Sequence, residues 1–354
     1  MTHFEKIAAE LEGRGLDAML VTSEPGEFYA VGFHGEGVAL ITPDKTWYYT
    51  DSRYIEAAQQ QITGAQVAQL PKGVRYRDLV GDLVKEAGVS RLGFEEQYMS
   101  VADHTIWTEN IEAEFVPASE LLTELRQVKD ADELAAMREA QRITDEALLE
   151  ILNFIKPGLT ESEVAARLTY IMARKGAERN SFDPIVACGA NGSKPHAVPG
   201  PSVIQKGQFV TMDFGCKVGG YCSDMTRTVA VGQPSEEMEL VYNTVLKAQL
   251  TGIATAHAGV TGKEVHEAAA KVIEDAGYGE YFGHGFGHSL GIEIHEDPGF
   301  HTRNDKPIPA GALLSAEPGI YLPGKFGVRI EDVIMLTEGG CIDITHSPKQ
   351  LIIL

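Results

Sequence analysis

The stretch TMDFGCKVGGYCSDMTRT, residues 211–228, carries two aspartates on either side of a turn signal. The residues that flank KVGG favour strands, so the stretch predicts an antiparallel hairpin. With the turn centred between Val218 and Gly219, facing residues have numbers that add up to 437, which makes Asp213 and Asp224 a directly opposed pair. Opposed like charges destabilise a sheet, so a shared proton or bound cations must compensate. The alternative is a register shifted by one residue, in which one aspartate points to solvent.

The composition is that of a globular protein with a strongly acidic surface. The chain has 354 residues, 44% of them hydrophobic, and a formal net charge of −21. This length favours two domains, and the charge argues against nucleic-acid and membrane partners. The first residues lack the apolar segment of a signal peptide, and no apolar run approaches a membrane span. The four cysteines show no disulfide framework spacing, so we expect reduced thiols and a cytoplasmic location.

Residues 1–125 alternate strand-like and helix-like segments, which predicts an α/β domain. Thr2 and Glu5 form the capping box of a first helix. The strand-like segments are DAMLVT, GVALIT, TWYYTD and RLGFE, and the helical ones are SRYIEAAQQQ and YRDLVGDLVKEAG. No catalytic constellation occurs here, and His3, His34 and His104 are expected to be surface or packing residues. A long helical pattern begins near residue 130, so we place a second domain over 126–354.

The second domain contains an internal repeat. KPGLTESEVAARLTYIMARKGA (156–177) matches HAGVTGKEVHEAAAKVIEDAGY (257–278), and each copy has a T-x-x-E capping box, a helix and a terminal glycine. Farther along, HAVPG (196–200) matches HEDPG (295–299), and GQFVTMDFG (207–215) matches GALLSAEPG (311–319). The last match places Asp213 on Glu317. We therefore expect two similar halves related by a pseudo-twofold axis.

A second hairpin, EPGIYLPGKFGVRIED, repeats the arrangement of acids. Its centre lies near Gly324, and Glu317 and Glu331 are equidistant from that centre, so they too can face each other. Four carboxylates would then meet between the halves, and they cannot all ionise without cations. Oxygen-rich ligation favours Mn²⁺, Mg²⁺ or Co²⁺ over structural zinc. Two ions bridged by carboxylates form a recurrent hydrolytic centre.

The segment GHGFGHSLGIEIHEDP (283–298) supplies three histidines to this cluster: His284, His288 and His295. Only His295 has a counterpart in the first copy, which is His196. His288 has none, and this marks it as an asymmetric metal ligand.

The same segment contains a formal G-x-S-x-G match centred on Ser289, which is the pattern of a serine-hydrolase nucleophile. Asp332 and His346 follow in the chain order of such a triad. The nucleophile must however follow a strand and precede a helix, and the strand-like GIEIHE follows here. GHGFG also fails the spacing of a dinucleotide fingerprint.

The chain resembles the creatinase/aminopeptidase pita-bread metallopeptidases of family M24, and among them the proline-specific peptidases, aminopeptidase P and prolidase. The blocks DFG…YCSDMTRT, GHGFGHSLGIEIHEDP, LLSAEPGIY and GVRIED match the metal-ligand blocks of the family in order. FYAVGFHGEGVALITPD and YYTDSRY resemble its amino-terminal domain. The resemblance implies an α/β amino-terminal domain followed by an α+β pita-bread domain with an internal pseudo-twofold repeat.

The resemblance also implies the metal ligands. Two divalent ions would be bound by Asp213, Asp224, His288, Glu317 and Glu331, with Asp224 and Glu331 bridging them. Mn²⁺ is the expected metal, with Co²⁺ or Zn²⁺ as alternatives.

Further roles follow from the same resemblance. Glu317 would also act as the general base, and His196 and His295 would orient the substrate and stabilise the tetrahedral intermediate. The residues expected to line or support the site are His284, Tyr321, Arg329 and Phe182, the last in the proline pocket. The expected substrates are proline-containing peptides, because an Xaa-Pro bond has no N–H and a fixed ring.

The resemblance leaves the peptide length open. Aminopeptidase P removes an amino-terminal residue from Xaa-Pro peptides, whereas prolidase cleaves only dipeptides. Some prolidases carry an arginine for the substrate carboxylate at the position of Gly299, so its absence favours the aminopeptidase unless Arg303 or a residue of the amino-terminal domain replaces it. Methionine aminopeptidase, a metal-free creatinase-like enzyme and a non-catalytic binding protein are more distant alternatives. A homodimer is expected from the resemblance alone.

Overall fold

The structure is a computed structural model that describes residues 1–354. The chain forms two compact units, Met1–Arg126 and Gln127–Leu354. Each unit has its own hydrophobic core and is described separately.

The amino-terminal unit is a six-stranded mixed sheet with helices. Its elements are α1 (His3–Leu11), β1 (Ala18–Val21), α2 (Glu24–Val31), β2 (Gly37–Ile41), β3 (Thr46–Thr50), α3 (Ile55–Gln61), β4 (Gln66–Gln69), α4 (Tyr76–Ala87), β5 (Arg91–Phe94), α5 (Val101–Thr108), β6 (Glu114–Pro117) and α6 (Ser119–Gln127). The strand order is β4-β3-β2-β1-β5-β6. The pairs β1–β2 and β2–β3 are antiparallel, and the others are parallel.

The predicted elements of this unit are confirmed for β1, β2, β3, β5, α3 and α4. The Thr2–Glu5 capping box is also confirmed. The sequence did not reveal the edge strands β4 and β6, because no residue of either is buried and neither has an apolar run. The core is formed by central-strand residues such as Leu20, Leu40 and Leu92.

The carboxy-terminal unit contains four helices and thirteen strands. They are α7 (Ala131–Ile151), α8 (Glu161–Arg174), β7 (Arg179–Asn180), β8 (Ile185–Cys188), β9 (Gln208–Phe214), β10 (Cys216–Val218), β11 (Tyr221–Cys222), β12 (Met225–Val231), α9 (Glu236–Thr255), α10 (Gly262–Asp275), β13 (Gly287–Ser289), β14 (Glu296–Phe300), β15 (Leu313–Ala316), β16 (Gly319–Leu322), β17 (Phe326–Arg329), β18 (Asp332–Thr337) and β19 (Gly340–Asp343).

The predicted repeat is visible in the helices of this unit. Helices α8 and α10 both begin with the expected capping box, Thr160 with Glu163 and Thr261 with Glu264. In the first half, α7 and α8 share a hydrophobic core with β8, β9 and β12. In the second half, α9 and α10 share a separate core with β15 to β18. The two halves therefore repeat one design, a helix pair packed on an antiparallel sheet.

The first hairpin has a different register from the predicted one. Strand β9 pairs with β12 so that Thr226 lies opposite Asp213, and facing numbers add up to 439. The turn is centred between Gly219 and Gly220, whose φ angles of 56° and 78° suit the two central positions of a type I′ turn. The predicted centre was one residue too early, so the directly opposed Asp213–Asp224 pair was wrong. The observed register shifts the pairing by two residues, and side chains alternate between the two faces along a strand. Asp213 and Asp224 therefore still lie on one face of the hairpin, as diagonal neighbours.

The second hairpin has the predicted register. Gly319 pairs with Arg329 in β16–β17, and Ala316 pairs with Asp332 in β15–β18, so facing numbers add up to 648 in both ladders. Glu317 and Glu331 lie between these pairs and also add up to 648. The prediction that they are equidistant from the turn is confirmed.

Candidate metal centre

A cavity of about 610 Å³ lies in the carboxy-terminal unit. All eleven site residues named from the sequence line it, although they come from segments far apart in the chain. They are Phe182, His196, Asp213, Asp224, His284, His288, His295, Glu317, Tyr321, Arg329 and Glu331.

The five predicted metal ligands come from both halves of the repeat. Asp213 is in β9 and Asp224 directly precedes β12, whereas His288 is in β13, Glu317 follows β15 and Glu331 lies between β17 and β18. The alternative in which one aspartate points to solvent is wrong, because Asp213 is 8% and Asp224 3% exposed. Glu331 is also buried.

The imidazole of His288 faces the acids. Its Nε2 lies 3.2 Å from Glu317 Oε1 and 3.7 Å from Asp224 Oδ2. Its Nδ1 is 3.1 Å from the Ser289 carbonyl oxygen, which can only accept, so Nδ1 carries the proton and donates it. Burial lowers the pKa of His288, but the hydrogen bond and charge of Glu317 outweigh it and raise that pKa above its ordinary value. A bound cation would replace the Nε2 proton and take the lone pair. Ligand atoms of Asp224, His288 and Glu331 all lie within 4.8 Å of one another, a grouping that can hold a metal ion.

Two carboxylates of the cluster each have one oxygen that is hydrogen-bonded to a protein donor. Arg329 donates from Nη2 to Asp213 Oδ2 at 2.5 Å, and the Thr226 hydroxyl donates to Glu331 Oε2 at 2.7 Å. The buried atoms Asp213 Oδ1, Asp224 Oδ1 and Glu331 Oε1 have no hydrogen-bond partner. Buried polar atoms are rarely left unpaired, and three bare carboxylate oxygens in one cluster fit the hard oxygen ligation of a divalent cation.

The electrostatics of the cluster agree with this fit. Burial raises the pKa of Asp224 well above its ordinary range, and the neighbouring carboxylate of Glu331 raises it further. Burial likewise raises the pKa of Glu331, together with the charge of Glu317. Burial also opposes ionisation of Glu317, but the hydrogen bond and charge of His288 outweigh it and lower the pKa of Glu317 to about 2. Cations bound among these side chains would allow all the carboxylates to ionise together.

A hydrogen-bonded chain supports one side of the cavity. Arg329 Nη1 donates to the Tyr321 hydroxyl at 2.9 Å, and that hydroxyl lies 2.9 Å from His284 Nε2. His284 Nδ1 donates to the Gly285 carbonyl at 2.8 Å. Because an arginine N–H can only donate, the single proton of Tyr321 is directed to His284. Burial raises the pKa of Tyr321 to about 12, which keeps that proton in place.

His295 and His196, the two histidines of the repeated loops, differ in their contacts at the cavity. The His295 ring packs edge-on against the His288 ring, with centroids 4.4 Å apart and an interplanar angle of 68°. Burial lowers the pKa of His295, so its neutral form is favoured. His196 is exposed at the cavity wall.

The sequence reasoning missed Thr226, which holds Glu331 and also accepts Arg329 Nε–H at 3.0 Å. A turn centred on Gly219–Gly220 would have revealed it, because that register places Thr226 opposite Asp213. His301 also lines the cavity without having been predicted, next to Arg303. The His301 ring lies against Gly299, where an added Cβ would come within 2.8 Å of it.

Comparison with known proteins identifies the family. The model described as metallopeptidase family M24 matches residues 135–338, and the model described as the creatinase/prolidase N-terminal domain matches residues 4–128. The chain belongs to metallopeptidase family M24. The predicted family and fold, a creatinase-type domain followed by a pita-bread domain, are confirmed.

The relatives of this M24 metallopeptidase match nearly all of its length. It is 44% identical over 342 residues to the uncharacterised peptidase YqhT of Bacillus subtilis, with 96% of each chain covered. The structure of an Xaa-Pro dipeptidase from Bacillus anthracis matches with a TM-score of 0.96 and 43% identity over 99% of both chains. An X-Pro aminopeptidase from Thermotoga maritima MSB8 matches with a TM-score of 0.91 and 36% identity, covering 96% of this chain and 98% of that one.

The serine and aspartate of the possible serine-hydrolase triad are both engaged elsewhere in this metallopeptidase. Ser289 is fully buried in β13 and donates its hydroxyl to the Leu313 carbonyl at 2.7 Å, while Asp332 is paired with Arg227. The serine-hydrolase alternative therefore fails on geometry.

None of the helices has both the length and the apolar composition needed to cross a membrane.

Proposed function

We propose that this M24 metallopeptidase is a dinuclear enzyme that hydrolyses the bond between an amino-terminal residue and proline. The observation that carries the proposal is the convergence of the five predicted ligands on one cavity, with three buried carboxylate oxygens left bare. The match to relatives named Xaa-Pro dipeptidase and X-Pro aminopeptidase supports the proline specificity.

Two divalent cations would be held by the five predicted ligands, Asp224 and Glu331 among them. Mn²⁺ is the preferred metal because oxygen ligands outnumber the single imidazole, and Co²⁺ or Zn²⁺ remain alternatives. Bound there, the cations supply Lewis-acid polarisation of the peptide carbonyl and lower the pKa of water. Arg329 and Thr226 contribute by fixing one oxygen each of Asp213 and Glu331.

The remaining residues would act on the peptide itself. Glu317 lies at the cavity with its Oε1 fixed by the Ser315 hydroxyl at 3.0 Å, and we assign it the role of general base. His295 and His196 are the donors at the wall and would stabilise the oxyanion of the tetrahedral intermediate. The His284–Tyr321–Arg329 chain would hold the wall that faces the substrate.

The wall also contains apolar side chains that suit a proline ring. Phe182 and Ile185 line it together with Pro184 and Pro195. A ring that has no N–H to donate loses nothing in an apolar pocket, and its fixed φ reduces the entropy lost on binding. We therefore assign the proline side chain to this wall, with Phe182 as the main contact.

Aminopeptidase activity is our first choice for peptide length, because residue 299 is a glycine that the His301 ring covers, so no arginine at that position can hold a substrate carboxylate. Dipeptidase activity is a specific second candidate. Arg303 lines the cavity and forms no ion pair or hydrogen bond, which leaves its guanidinium available for the carboxylate of a dipeptide.

Hydrolysis of an Xaa-Pro dipeptide and of an Xaa-Pro-Yaa-Zaa tetrapeptide tests the proposal. Chelated protein should be inactive and should regain activity on addition of Mn²⁺. Cleavage of the tetrapeptide supports the aminopeptidase, and cleavage of the dipeptide alone supports the dipeptidase. If neither peptide is cleaved with any divalent metal, the Xaa-Pro assignment is wrong.

A further inference from the structure

A buried ion pair lies in the carboxy-terminal unit outside the lining of the cavity. Lys129 Nζ is 3.0 Å from Glu296 Oε2, and the two side chains are only 1% and 5% exposed. Such a pair contributes little to stability compared with apolar side chains of similar size, because both charges lose their hydration. Its best-attested use is to fix one arrangement of the chain, so the segments it joins indicate its role.

On one side, the pair organises the loop that precedes β14. Glu296 Oε1 accepts the N–H of Glu293 at 3.1 Å. The same carboxylate lies against Gly291, where an added Cβ would come within 2.8 Å of Oε2. The loop 291–296 is therefore wrapped around one carboxylate, and its fifth residue is His295.

On the other side, Lys129 belongs to a backbone segment that is itself held. Its N–H donates to the Gly311 carbonyl at 3.3 Å, and the preceding residue, Val128, forms a β-bridge with Ala312. Asp130, the next residue, caps α7. The ammonium group thus reaches Glu296 from a fixed position.

The equivalent loop of the first half is held in a comparable way. Glu161 is fully buried, and its carboxylate accepts N–H groups from Cys188 at 2.8 Å and from Gly200 at 3.1 Å. Gly200 ends the HAVPG segment that contains His196. A buried carboxylate therefore anchors each of the two repeated histidine loops, with a lysine as partner in one half and neutral donors in the other.

We propose that the Lys129–Glu296 pair positions His295 at the cavity. His295 is an exposed side chain on a loop, yet its ring stays against His288 at 4.4 Å. Fixing the adjacent residue limits the rotation of the His295 imidazole and keeps it directed at the substrate. Lys129 and Glu296 are positioning residues, since neither lines the cavity. The consequence for turnover rests on the proposed function.

The test compares single and double neutral variants. K129M alone leaves a buried carboxylate without its cation, and E296Q alone leaves a buried ammonium, so both should lower the melting temperature. The double variant K129M/E296Q removes both charges of the pair and retains an oxygen that can accept from Glu293. Its melting temperature should recover while kcat on an Xaa-Pro substrate stays about 10- to 100-fold low, with KM and bound metal unchanged. K325M/E237Q, which removes the exposed pair Lys325–Glu237, is the matched control and should change neither quantity.

A second readout does not need a substrate. In protein labelled with ¹⁵N-histidine and loaded with diamagnetic Mg²⁺, the His295 signal should broaden or shift in the double variant, while the His257 signal should not. Recovery of kcat together with stability, or an unchanged His295 signal, would overturn the positioning role. If the wild type cleaves no Xaa-Pro peptide, the proposed function fails, and the His295 signal still decides whether the pair positions the ring.

Discussion

The Thr226 hydroxyl donates a 2.7 Å hydrogen bond to Glu331 Oε2 and so connects the two hairpins that carry the acidic cluster. The hydroxyl oxygen of Thr226 also accepts Arg329 Nε–H at 3.0 Å, and Arg329 in turn holds Asp213. One side chain therefore contacts a proposed ligand from the second half and the arginine that binds a proposed ligand from the first. With its only proton directed to Glu331, Thr226 leaves Oε1 of that residue bare for a cation.

Thr226→Val should lower Mn²⁺ affinity by about 10- to 100-fold, because residues that orient metal ligands contribute on that scale. Calorimetric titration of metal-free protein with Mn²⁺ measures this. Thr211→Val is the control, since it removes a buried hydroxyl whose partner is Thr228 at 2.9 Å, outside the ligand set. Equal losses of affinity in the two variants would show that Thr226 has no special role.

Asp224→Asn should abolish metal binding and hydrolysis together. In metal-free protein the same substitution should raise the melting temperature, because burial and the neighbouring acids disfavour the ionised form of Asp224, whereas an amide carries no charge. Metal analysis after dialysis, peptide hydrolysis and a thermal melt with and without Mn²⁺ provide the three readouts. Normal turnover with full metal content would refute the proposed role of Asp224 as a metal ligand.

Phe182→Ala should reduce kcat/KM for Xaa-Pro peptides by about 10- to 100-fold, because burying an aromatic side chain against an apolar ring contributes about 1.5–3 kcal/mol. Metal content should stay the same, since Phe182 is not a proposed ligand. Tyr281→Ala is a suitable control because Tyr281 is an aromatic residue outside the cavity lining. An unchanged kcat/KM in F182A would move the proline pocket elsewhere.

The amino-terminal unit should lose stability through Glu27 as the pH rises from about 4.5 to about 7. This residue is 2% exposed and accepts the Tyr48 hydroxyl at 2.5 Å, and burial raises its pKa from 4.5 to about 7. Because the folded-state pKa lies above the unfolded one, the contribution of Glu27 to the free energy of unfolding is complete below pH 4.5 and is lost as the pH rises through 7. The loss between pH 5 and pH 8 should be about 3 kcal/mol.

Urea unfolding of wild type and Glu27→Gln at pH 5 and pH 8 measures this contribution. Both tryptophans, Trp47 and Trp107, lie in the amino-terminal unit, so their fluorescence reports on it alone. The difference in stability between pH 5 and pH 8 should shrink in E27Q and persist in the exposed-site control Glu112→Gln. A loss of stability between pH 5 and pH 8 that is as large in E27Q as in the wild type would contradict the assignment.

Much of the fold and the composition of the site could be predicted from the sequence. The duplicated capping boxes marked α8 and α10, because T-x-x-E is a local signal that does not depend on distant residues. The hairpin around Gly324 had a symmetric sequence, so the register that relates Glu317 to Glu331 followed from counting. All eleven predicted site residues line the cavity.

The contacts of the site could not be predicted in the same way. KVGG allows more than one turn centre, and only the pairing of β10 with β11 and of β9 with β12 distinguishes them. Thr226 was missed for that reason. The Lys129–Glu296 pair joins residues 167 positions apart, and no periodic pattern relates a lysine before one helix to a glutamate at the start of a strand.

The separate hydrophobic cores of the two halves are relevant to how such a chain could have evolved. Two copies of one half-length ancestor could have supplied paired acids from both hairpins, but every side chain would then have occurred twice. Joining the copies in a single chain would have allowed each to change alone. His288 has no counterpart in the first half, and Glu161 is matched by Gly262 in the second. A site with one imidazole and four carboxylates is asymmetric, and two identical ancestral chains could not have formed it.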